Sequence, residues 1–282
     1  MSDILDEILR RKRWELGVLR DGLRGNLRAG PSEPWFCGPA VLARAKALLD
    51  AGGAEPTERD FGGALRNEER LTVIAEVKRR SPSAGVIASW TDPTELAAAY
   101  QEGGADAVSC LTDHAFFGGQ PGFLPRVRDV FGGPVLRKDF VTDVIDLAVA
   151  RALDADAVLL IVAALGPETA RLQREARAFG LQTLVEVHDQ RELDLAMVAG
   201  APIVGVNNRD LRTFWVDLAT TERLAEQLPS PVALVGESGI KRPVDAARMR
   251  RAGCDAVLVG ESLARKGGDG VSALQIVGTR GR

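Results

Sequence analysis

The stretch VIAEVKRRSPSAGVI, residues 73–87, interrupts an apolar run with two charges and continues into a Ser-Pro turn. On a β-strand, residues i and i+2 project from the same face, so Glu76 and Lys78 share a face with Ile74. A buried carboxylate and a buried ammonium cost free energy unless they pair or bind something. The stretch therefore indicates either a structural ion pair at a strand end or part of the floor of a site for an anionic ligand.

Runs of the same kind recur along the rest of the chain. Their sequences are TVIAEVK, ADAVSCLT, PVLRKDF, ADAVLLIV, LQTLVEV, PIVGVN, PVALVGES and DAVLVGES. Segments of helical composition lie between them, such as GPETARLQREARAFG and RPVDAARMRRAGC. The runs begin about 26 residues apart, a spacing that fits one strand plus one crossover helix. The sequence therefore predicts an α/β fold, a closed (β/α)8 TIM barrel.

An open, doubly wound sheet is the alternative fold. At 282 residues the chain is long enough for one large barrel or for two ordinary domains. The open sheet is less favoured because no Gly-x-Gly-x-x-Gly motif follows the first run. The strand-helix units also recur without a break, which favours a single closed barrel.

The residues before this pattern read differently. The first 20 have the spacing of an amphipathic helix, with Ser2 as a candidate N-cap, and residues 40–50 read as a second, short helix. The chain around the second helix is rich in glycine and proline. We expect residues 1–66 to form an N-terminal helical extension packed on the barrel, and residues 67–282 to form the (β/α)8 catalytic barrel, in a single domain overall.

Composition limits the class of protein. Hydrophobic residues make up 45% of the chain and charged residues 27%, which is typical of a soluble globular protein. The net charge of −3 argues against a general nucleic-acid binder. No apolar run approaches the roughly 18 residues of a membrane span, and the N-terminus lacks the apolar core of a signal peptide. The three cysteines are widely spaced, which fits a reducing compartment, so we expect a cytoplasmic protein that binds neither nucleic acid nor membrane.

Polar residues and glycines stand at the ends of six of the eight runs. In a TIM barrel the active site lies at the carboxyl ends of the strands. A polar set on that rim predicts a polar ligand between its members, and the charges of the opening stretch are then most simply read as part of a site. The set comprises Glu76, Lys78, Lys138, Glu186, Asn207, Arg209, Glu237, Ser238, Gly239, Gly260, Glu261 and Ser262.

Three of these residues have a purely structural alternative. Lys138 could pair with the neighbouring aspartate at the surface. Glu186 could cap the helix that follows it. Arg209 could form a local ion pair with Asp210, because the Asn-Arg-Asp segment is prone to form a turn. The sequence leaves these alternatives open.

Glycine-rich segments follow the seventh and eighth runs. GESGI and GES each place backbone N–H groups where a helix is expected to begin, and that geometry binds phosphate. Phosphate sites in this position are frequent in TIM barrels. Closure of the barrel also puts Lys78 of the first run beside the eighth. The sequence therefore predicts a phosphate ester as the ligand.

No cofactor-binding or metal-binding motif stands in the sequence. His114 and His188, the only histidines, stand in no ligand pattern and are interpreted as loop residues. We therefore expect neither a cofactor nor a bound metal. We expect a monomer or weak homo-oligomer whose partner is a small phosphate-ester substrate.

The motifs around the rim also occur together in one enzyme family. IAEVKRRSPSAGVI is very similar to that family's signature around the first strand, which has the form (I/V)-A-E-(V/I)-K-x-x-S-P-S-x-G. The similarity continues in the family's order through LTDHAFFGG, LRKDF, LLIV, LVEVH, GVNNRDL, GESGI and LVGESL, over about residues 60–280. The chain resembles the indole-3-glycerol-phosphate synthases of tryptophan biosynthesis.

This resemblance implies a carboxy-lyase, which closes the ring of 1-(2-carboxyphenylamino)-1-deoxyribulose 5-phosphate and removes CO2 and water to give indole-3-glycerol phosphate. It implies Lys138 as the general acid of ring closure, Lys78 as an anchor near the substrate carboxylate and phosphate, and Glu186 as the base of the dehydration. Glu76 would orient the lysines. Two further catalytic residues would position the substrate hydroxyls: Asn207 and Ser238.

The same resemblance implies a set of substrate-binding residues. Phe140 and Pro82 would line an apolar pocket for the anthranilate ring, and Arg209 would add positive charge nearby. Backbone N–H groups after the seventh and eighth strands would hold the phosphate. The remaining members of the set are Ser81, Glu237, Gly239, Gly260 and Glu261.

The residue types lead to one expectation about proton transfer. A lysine flanked by other cations would have a lowered pKa, suited to an acid at Lys138.

Three other functions are less favoured. A phosphoribosylanthranilate isomerase would need a Cys/Asp pair, with the cysteine near the end of the first strand. A class I aldolase would use Lys138 as a Schiff-base nucleophile. A non-catalytic phospholigand-binding barrel would not need both lysines and both glutamates on one rim.

Overall fold

A computed structural model describes residues 4–26, 33–82, 85–87, 92–278, 280 and 281. All eight predicted runs form strands, and these close into one parallel barrel, so the TIM-barrel prediction is confirmed. The strands are β1 Thr72–Val77, β2 Ala107–Leu111, β3 Val135–Lys138, β4 Ala157–Ile161, β5 Gln182–Val187, β6 Ile203–Asn207, β7 Ala233–Glu237 and β8 Ala256–Val259. Strand β1 pairs with β2 on one side and with β8 on the other, as closure requires.

Helices surround the barrel. They are α1 Ile4–Leu23, α2 Pro39–Ala51, α3 Phe61–Ala64, α4 Pro93–Glu102, α5 Phe123–Val130, α6 Val144–Ala152, α7 Val162–Leu165, α8 Thr169–Ala178, α9 Gln190–Val198, α10 Ala219–Ala225, α11 Pro243–Arg251, α12 Glu261–Lys266 and α13 Gly268–Leu274. Aspartates begin several of them: Asp143 caps α6 and Asp189 caps α9 by accepting backbone N–H groups of the first turn. Among the described residues, no helix is both long enough and apolar enough to cross a membrane.

An aspartate precedes three of the strands and ties each one to its neighbour. The carboxylates of Asp106, Asp156 and Asp255 each accept a hydrogen bond of 2.8–2.9 Å from a backbone N–H at the start of the adjacent strand. These aspartates stand in the repeated ADA, ADA and CDA sequences that open β2, β4 and β8. Buried backbone N–H groups need an acceptor. The repeated aspartates supply acceptors for N–H groups at the amino-terminal ends of the strands, and they fix the position of each strand along its neighbour.

Side chains of the strands alternate between two apolar layers, as the period of two predicts. Ile74 joins a cluster inside the barrel, whereas Val73 and Val77 join the larger cluster between the barrel and the helices. Phe61 and Leu65 are fully buried in the interior cluster, next to the first residues of the strands. Because these side chains fill the amino-terminal end of the barrel, a polar cavity can open only at the carboxyl end.

The N-terminal helices pack on the outside of the barrel wall. Helices α1 and α2 contact α6, and they also contact each other. Leu16 and Leu19 of α1 and Leu42 of α2 join the outer apolar cluster. The short helix predicted over residues 40–50 is confirmed by α2. The candidate N-cap Ser2 lies outside the described residues.

Candidate active site

A cavity of about 560 Å³ opens at the carboxyl ends of the barrel strands. Its volume is in the range that small-molecule sites occupy. The residues that the sequence assigned to the site all line it. They are Glu76, Lys78, Ser81, Pro82, Lys138, Phe140, Glu186, Asn207, Arg209, Glu237, Ser238, Gly239, Gly260 and Glu261.

Glu76 lies at the centre of the charged part of the cavity. It is buried, its Oε2 contacts the Lys78 ammonium, and its Oε1 lies 3.3 Å from Lys138 Nζ. Burial alone would raise the pKa of the Glu76 carboxyl, but the two ammonium groups outweigh burial and lower that pKa to about 2. The charges of the opening stretch therefore form an ion pair that is itself part of the cavity floor.

Lys138 is bracketed by carboxylates rather than by cations. Its Nζ lies 3.3 Å from Glu76 Oε1 and 3.5 Å from Glu237 Oε2. Burial would lower the pKa of Lys138, but Glu76, Glu237 and Glu186 outweigh it and raise the pKa above the ordinary lysine value. The expectation of a lowered pKa is therefore wrong. The pairing with Asp139 is not formed either, because that carboxylate is bound by Lys12 and Arg137.

Glu237 at the end of β7 is the least satisfied carboxylate of the site. It is buried, and among the described residues neither of its oxygens accepts a hydrogen bond. Burial raises the pKa of Glu237 to about 8, the nearby Glu186 carboxylate adds to that rise, and the Lys138 ammonium opposes it. At neutral pH the site therefore holds a largely protonated carboxyl group beside Lys138.

The raised pKa of Glu237 predicts a particular pH dependence of stability. Between its ordinary pKa of 4.5 and the folded-state pKa of about 8, the folded protein keeps a proton that the unfolded chain has lost. The free energy of unfolding therefore falls as pH rises through this window. We expect Glu237→Gln to lose less stability than the wild type between pH 6 and pH 9 in thermal or urea unfolding. Glu168→Gln, which changes an exposed carboxylate, is the control, and parallel curves for all three proteins would contradict the assignment.

Two glycines make room for these carboxylates. A Cβ added at Gly205 of β6 would overlap Oε1 of Glu237, and a Cβ added at Gly260 would overlap Oε2 of Glu76. The added atom at Gly260 would also lie 3.0 Å from Lys78 Nζ. Sequence reasoning missed Gly205, because a glycine within a strand indicates close approach of another group without saying which one.

Glu186 on β5 is held by a second set of polar contacts. Its Oε1 accepts a hydrogen bond of 3.2 Å from Asn207 Nδ2 and lies 3.4 Å from His188 Nε2. His188 Nδ1 lies 2.9 Å from Glu192 Oε2. Burial would lower the pKa of His188, but Glu192 and Glu186 outweigh it and raise that pKa. Glu186 does not cap α9, since Asp189 does so. His188 lies in the loop between β5 and α9, as predicted from the sequence, and its ring contacts both Glu186 and Glu192.

The loop after β6 shapes one side of the cavity. Arg209 lines the cavity, and its guanidinium donates a hydrogen bond of 3.1 Å to the backbone oxygen of Phe214. The carboxylate of Asp210 instead accepts the N–H groups of Arg212 and Thr213, in a turn. The local ion pair between Arg209 and Asp210 is therefore replaced by separate contacts.

The two glycine-rich segments differ in local structure. After β8, helix α12 begins at once, with Gly260 as its N-cap, so the helix start predicted from the sequence is present. After β7, Ser238 and Gly239 have φ values of 62° and 83°, and the next helix begins only at Pro243. The expectation of a helix start at Gly239 is therefore wrong, because two left-handed residues turn the chain there. Ser262 Oγ donates a hydrogen bond of 3.2 Å to the Ile240 oxygen and joins the two segments.

Much of the rest of the cavity wall is apolar, and most of that apolar part was not found from the sequence. Phe140 packs beside Phe117, with 6.1 Å between the ring centroids. Helix α1 and the loop after β6 supply the other side. These apolar residues are Ile4, Leu5, Ile8, Leu211, Phe214, Val216 and Leu218. Apolar side chains on a helix or loop could not be assigned to a site from the sequence, because only the fold shows that they line the cavity.

Comparison with known proteins identifies the family of the chain. A family model described as indole-3-glycerol phosphate synthase matches residues 41–272. The chain belongs to the indole-3-glycerol phosphate synthase family. It is 51% identical to indole-3-glycerol phosphate synthase 2 of Streptomyces coelicolor (strain ATCC BAA-471 / A3(2) / M145), over 85% of this chain and 92% of that protein. It is 42% identical to the indole-3-glycerol phosphate synthase of Dechloromonas aromatica (strain RCB), over 94% of this chain and 95% of that one.

Membership of the indole-3-glycerol phosphate synthase family confirms the resemblance inferred from the sequence motifs. It also confirms the enzyme class, a carboxy-lyase of tryptophan biosynthesis. Among solved structures, the chain is similar to one described as native KDPGal structure, with a TM-score of 0.52 and 17% identity over 74% of this chain and 95% of that one. At that identity the likeness shows the barrel fold alone.

Proposed function

We propose that this indole-3-glycerol phosphate synthase family member converts 1-(2-carboxyphenylamino)-1-deoxyribulose 5-phosphate to indole-3-glycerol phosphate, with the buried cluster of lysines and glutamates as its catalytic centre. The observation that carries the proposal is the contact of both lysines with one carboxylate, Glu76, at the floor of a cavity that also has an extensive apolar wall. Such a cavity suits a substrate with an aromatic end and an anionic end.

Ring closure needs an acid, and we assign that role to Lys138. The anthranilate ring carbon that carries the carboxylate attacks the ribulosyl carbonyl carbon, and the carbonyl oxygen takes a proton from Lys138. An alkoxide that forms on this oxygen is more basic than a lysine amine, so the transfer is favourable even though the carboxylates raise the pKa of Lys138. The ionised Glu76 carboxylate holds the ammonium charged before the substrate reacts, and the Glu237 carboxyl group lies 3.5 Å from it on the other side.

The later steps need an electron sink and a base. The iminium nitrogen formed by ring closure accepts the electron pair of the breaking C–CO2 bond, and CO2 leaves. The new hydroxyl then leaves as water, with a proton from one of the two lysines, while Glu186 accepts a proton from the ring. Asn207 donates to Glu186 at 3.2 Å and is placed to hold the carboxylate in position for this step.

Substrate binding is divided between the two ends of the cavity. We assign the phosphate to the backbone N–H groups of Gly239, Gly260 and Glu261, with Lys78 as an anchor for the substrate carboxylate or phosphate. We assign the aromatic ring to the wall that contains Phe140. The remaining proposed contacts are Ser81, Pro82, Arg209, Glu237 and Ser238.

We further propose that residues 1–66 form an extension packed on a catalytic barrel of residues 67–282, in a single domain. The continuous apolar cluster between α1, α2 and the barrel supports this division. We propose a cytoplasmic monomer or weak homo-oligomer that binds a small phosphate ester rather than nucleic acid or a membrane. The net charge of −3 supports the exclusion of nucleic acid.

The proposed activity is tested by adding the anilino substrate to the purified protein and following the ultraviolet absorbance and fluorescence of an indole product. We expect an indole signal that grows with protein concentration. The aldolase alternative requires an unprotonated lysine amine, which the carboxylates around Lys138 disfavour. Borohydride added with substrate should therefore leave the protein mass unchanged. A trapped adduct at Lys138, or no indole, would contradict the proposal.

A substitution at Gly239 tests the phosphate assignment. Its φ of 83° is unfavourable for other residues, and an added Cβ would lie 2.6 Å from Val216 Cγ1. We expect Gly239→Ala to raise KM more than it lowers kcat, because the phosphate is remote from the reacting carbons. Gly200→Ala is the matched control, since Gly200 has a φ of 71° and open space around it at the opposite end of the barrel. An unchanged KM in the Gly239 variant would place the phosphate elsewhere.

A further inference from the structure

A buried lysine of the N-terminal helix lies outside the catalytic cluster. Lys12 Nζ is 2.7 Å from Asp139 Oδ1, 3.1 Å from Asp113 Oδ2 and 3.1 Å from Glu15 Oε2. Only 10% of its side chain is exposed. Burial would lower the pKa of Lys12, but the three carboxylates outweigh it and raise that pKa. An ammonium held by this many carboxylates joins α1 to the segments that follow β2 and β3.

Both barrel aspartates also hold the backbone of an aromatic cavity residue. Asp113 Oδ1 accepts the N–H of Phe117 at 3.2 Å, and Asp139 Oδ1 accepts the N–H of Phe140 at 2.8 Å. Phe117 and Phe140 lie next to each other in the aromatic part of the cavity wall. The Lys12 ammonium therefore bridges the two carboxylates that set the positions of these rings.

The same helix also supplies the facing wall. Ile8 stands one helical turn before Lys12, so the two side chains project from the same face of α1. Ile8 lines the cavity, and so do Ile4 and Leu5 of the preceding turn. Lys12 thus connects an apolar wall on α1 to an aromatic wall on the barrel.

Of the three carboxylates that Lys12 contacts, Asp113 depends most on its positive charge. Arg11 pairs with Glu15 at 2.9 Å, and Arg137 pairs with Asp139 at 3.0 Å, so each of these carboxylates has a second cation. For Asp113, Lys12 is the one cation within ion-pair distance among the described residues. Removal of Lys12 would leave Asp113 buried without a compensating charge, which is costly.

We propose that Lys12 is a positioning residue, which fastens helix α1 to Asp113 and Asp139 and thereby assembles the compartment that receives the aromatic end of the substrate. The assignment of an aromatic end rests on the proposed function. Lys12 does not touch the reacting atoms. Its contribution lies in the binding of the aromatic half alone, with the phosphate end of the cavity unaffected.

The test uses two fragment probes on the full-length protein, anthranilate for the aromatic end and inorganic phosphate for the other end. We expect Lys12→Met to weaken anthranilate binding by about tenfold, because an assembled pocket loses its pre-organisation, and to leave phosphate binding within about twofold. With the complete substrate, KM should rise while kcat stays within a few-fold of the wild type. Calorimetry and steady-state kinetics measure these quantities.

A second variant separates positioning from folding. Lys12→Met combined with Asp113→Asn removes the uncompensated carboxylate, so it should recover thermal stability but keep the weak binding of anthranilate. Arg20→Gln is the matched control, because it breaks a pair of 2.6 Å between α1 and Asp143 that is more exposed to solvent. It should leave the affinity for both probes unchanged.

Equal losses of anthranilate and phosphate binding, or full recovery of anthranilate binding in the double variant, would overturn the positioning role. Wild-type affinity for anthranilate in a folded Lys12 variant would overturn it as well. Failure of the wild-type protein to bind anthranilate would also refute it. The indole assay would still decide the proposed activity separately, because it follows product rather than fragment binding.

Discussion

Replacement of Lys138 by methionine is expected to reduce kcat for indole formation by at least about a hundredfold, the usual contribution of a general acid. Methionine has a similar length and no proton to donate. The fold should persist, because Glu76 keeps its contact with Lys78 and because Glu237, with a pKa raised to about 8, is largely neutral at pH 7. Steady-state kinetics measure the loss, and circular dichroism verifies the fold.

The control for this variant is Lys46→Met, which changes an exposed lysine paired with Asp50 on α2. It should keep wild-type kcat and KM. Turnover by Lys138→Met above about a hundredth of the wild-type rate would exclude Lys138 as the general acid. Loss of substrate affinity without loss of kcat would instead make Lys138 a binding residue.

Glu186→Gln is expected to slow the dehydration by about 10²-fold or more and to let the ring-closed intermediate accumulate. The glutamine oxygen can still accept the hydrogen bond from Asn207 Nδ2, so the geometry should persist while the basic group is lost. Rapid-quench analysis of a single turnover separates the steps. Ring closure and CO2 release should keep near-normal rates, and indole should appear late.

Glu175→Gln, on the outer helix α8, is the control for this experiment, since Glu175 pairs with Arg171 away from the cavity. It should give a normal single-turnover course. If every step of the Glu186 variant ran at the wild-type rate, Glu186 would have no part in the proton transfers. If ring closure itself slowed, the base of the dehydration would have to be sought elsewhere.

The barrel and its rim were predictable because both follow from local pattern. The period of two around Ile74 sets which side chains enter the barrel, and parallel strands bring their carboxyl ends together. Glu76, Lys138 and Glu186 were therefore found by their places at strand ends. None of these residues needed knowledge of a long-range contact to be assigned to the rim.

The pKa of Lys138 was not predictable in the same way. Its neighbours in sequence, Arg137 and Asp139, pair with each other, while Glu76 and Glu237 reach it across the barrel. The sign of a pKa shift depends on charges within a few ångströms in space. Residues that are adjacent in sequence identify those charges only where the local structure also makes them neighbours in space.

The contribution of α1 was out of reach for a related reason. The sequence predicts that α1 packs on the barrel, but it does not show which of the many charged residues of α1 the packing buries, and Lys12 is one of them.

The prediction for the segment after β7 was wrong for a different reason. The residue types after β7 predicted a helix that begins at Gly239, but the helix begins only at Pro243. Ser238 and Gly239 adopt left-handed conformations, which are unusual for a serine and were not predictable from residue type.

Gly205 and Gly260 have a consequence for how this scaffold can change over generations of selection. Neither has a functional group, yet the space above each is filled by a carboxylate, Glu237 in one case and Glu76 in the other. A methyl group at either position would displace the acid from its place beside the lysines. Directed evolution that randomises only charged positions would therefore explore a narrow set of charge arrangements. Paired libraries, which vary each glycine together with the glutamate above it, would reach arrangements of the site that a substitution of the glycine alone cannot accommodate.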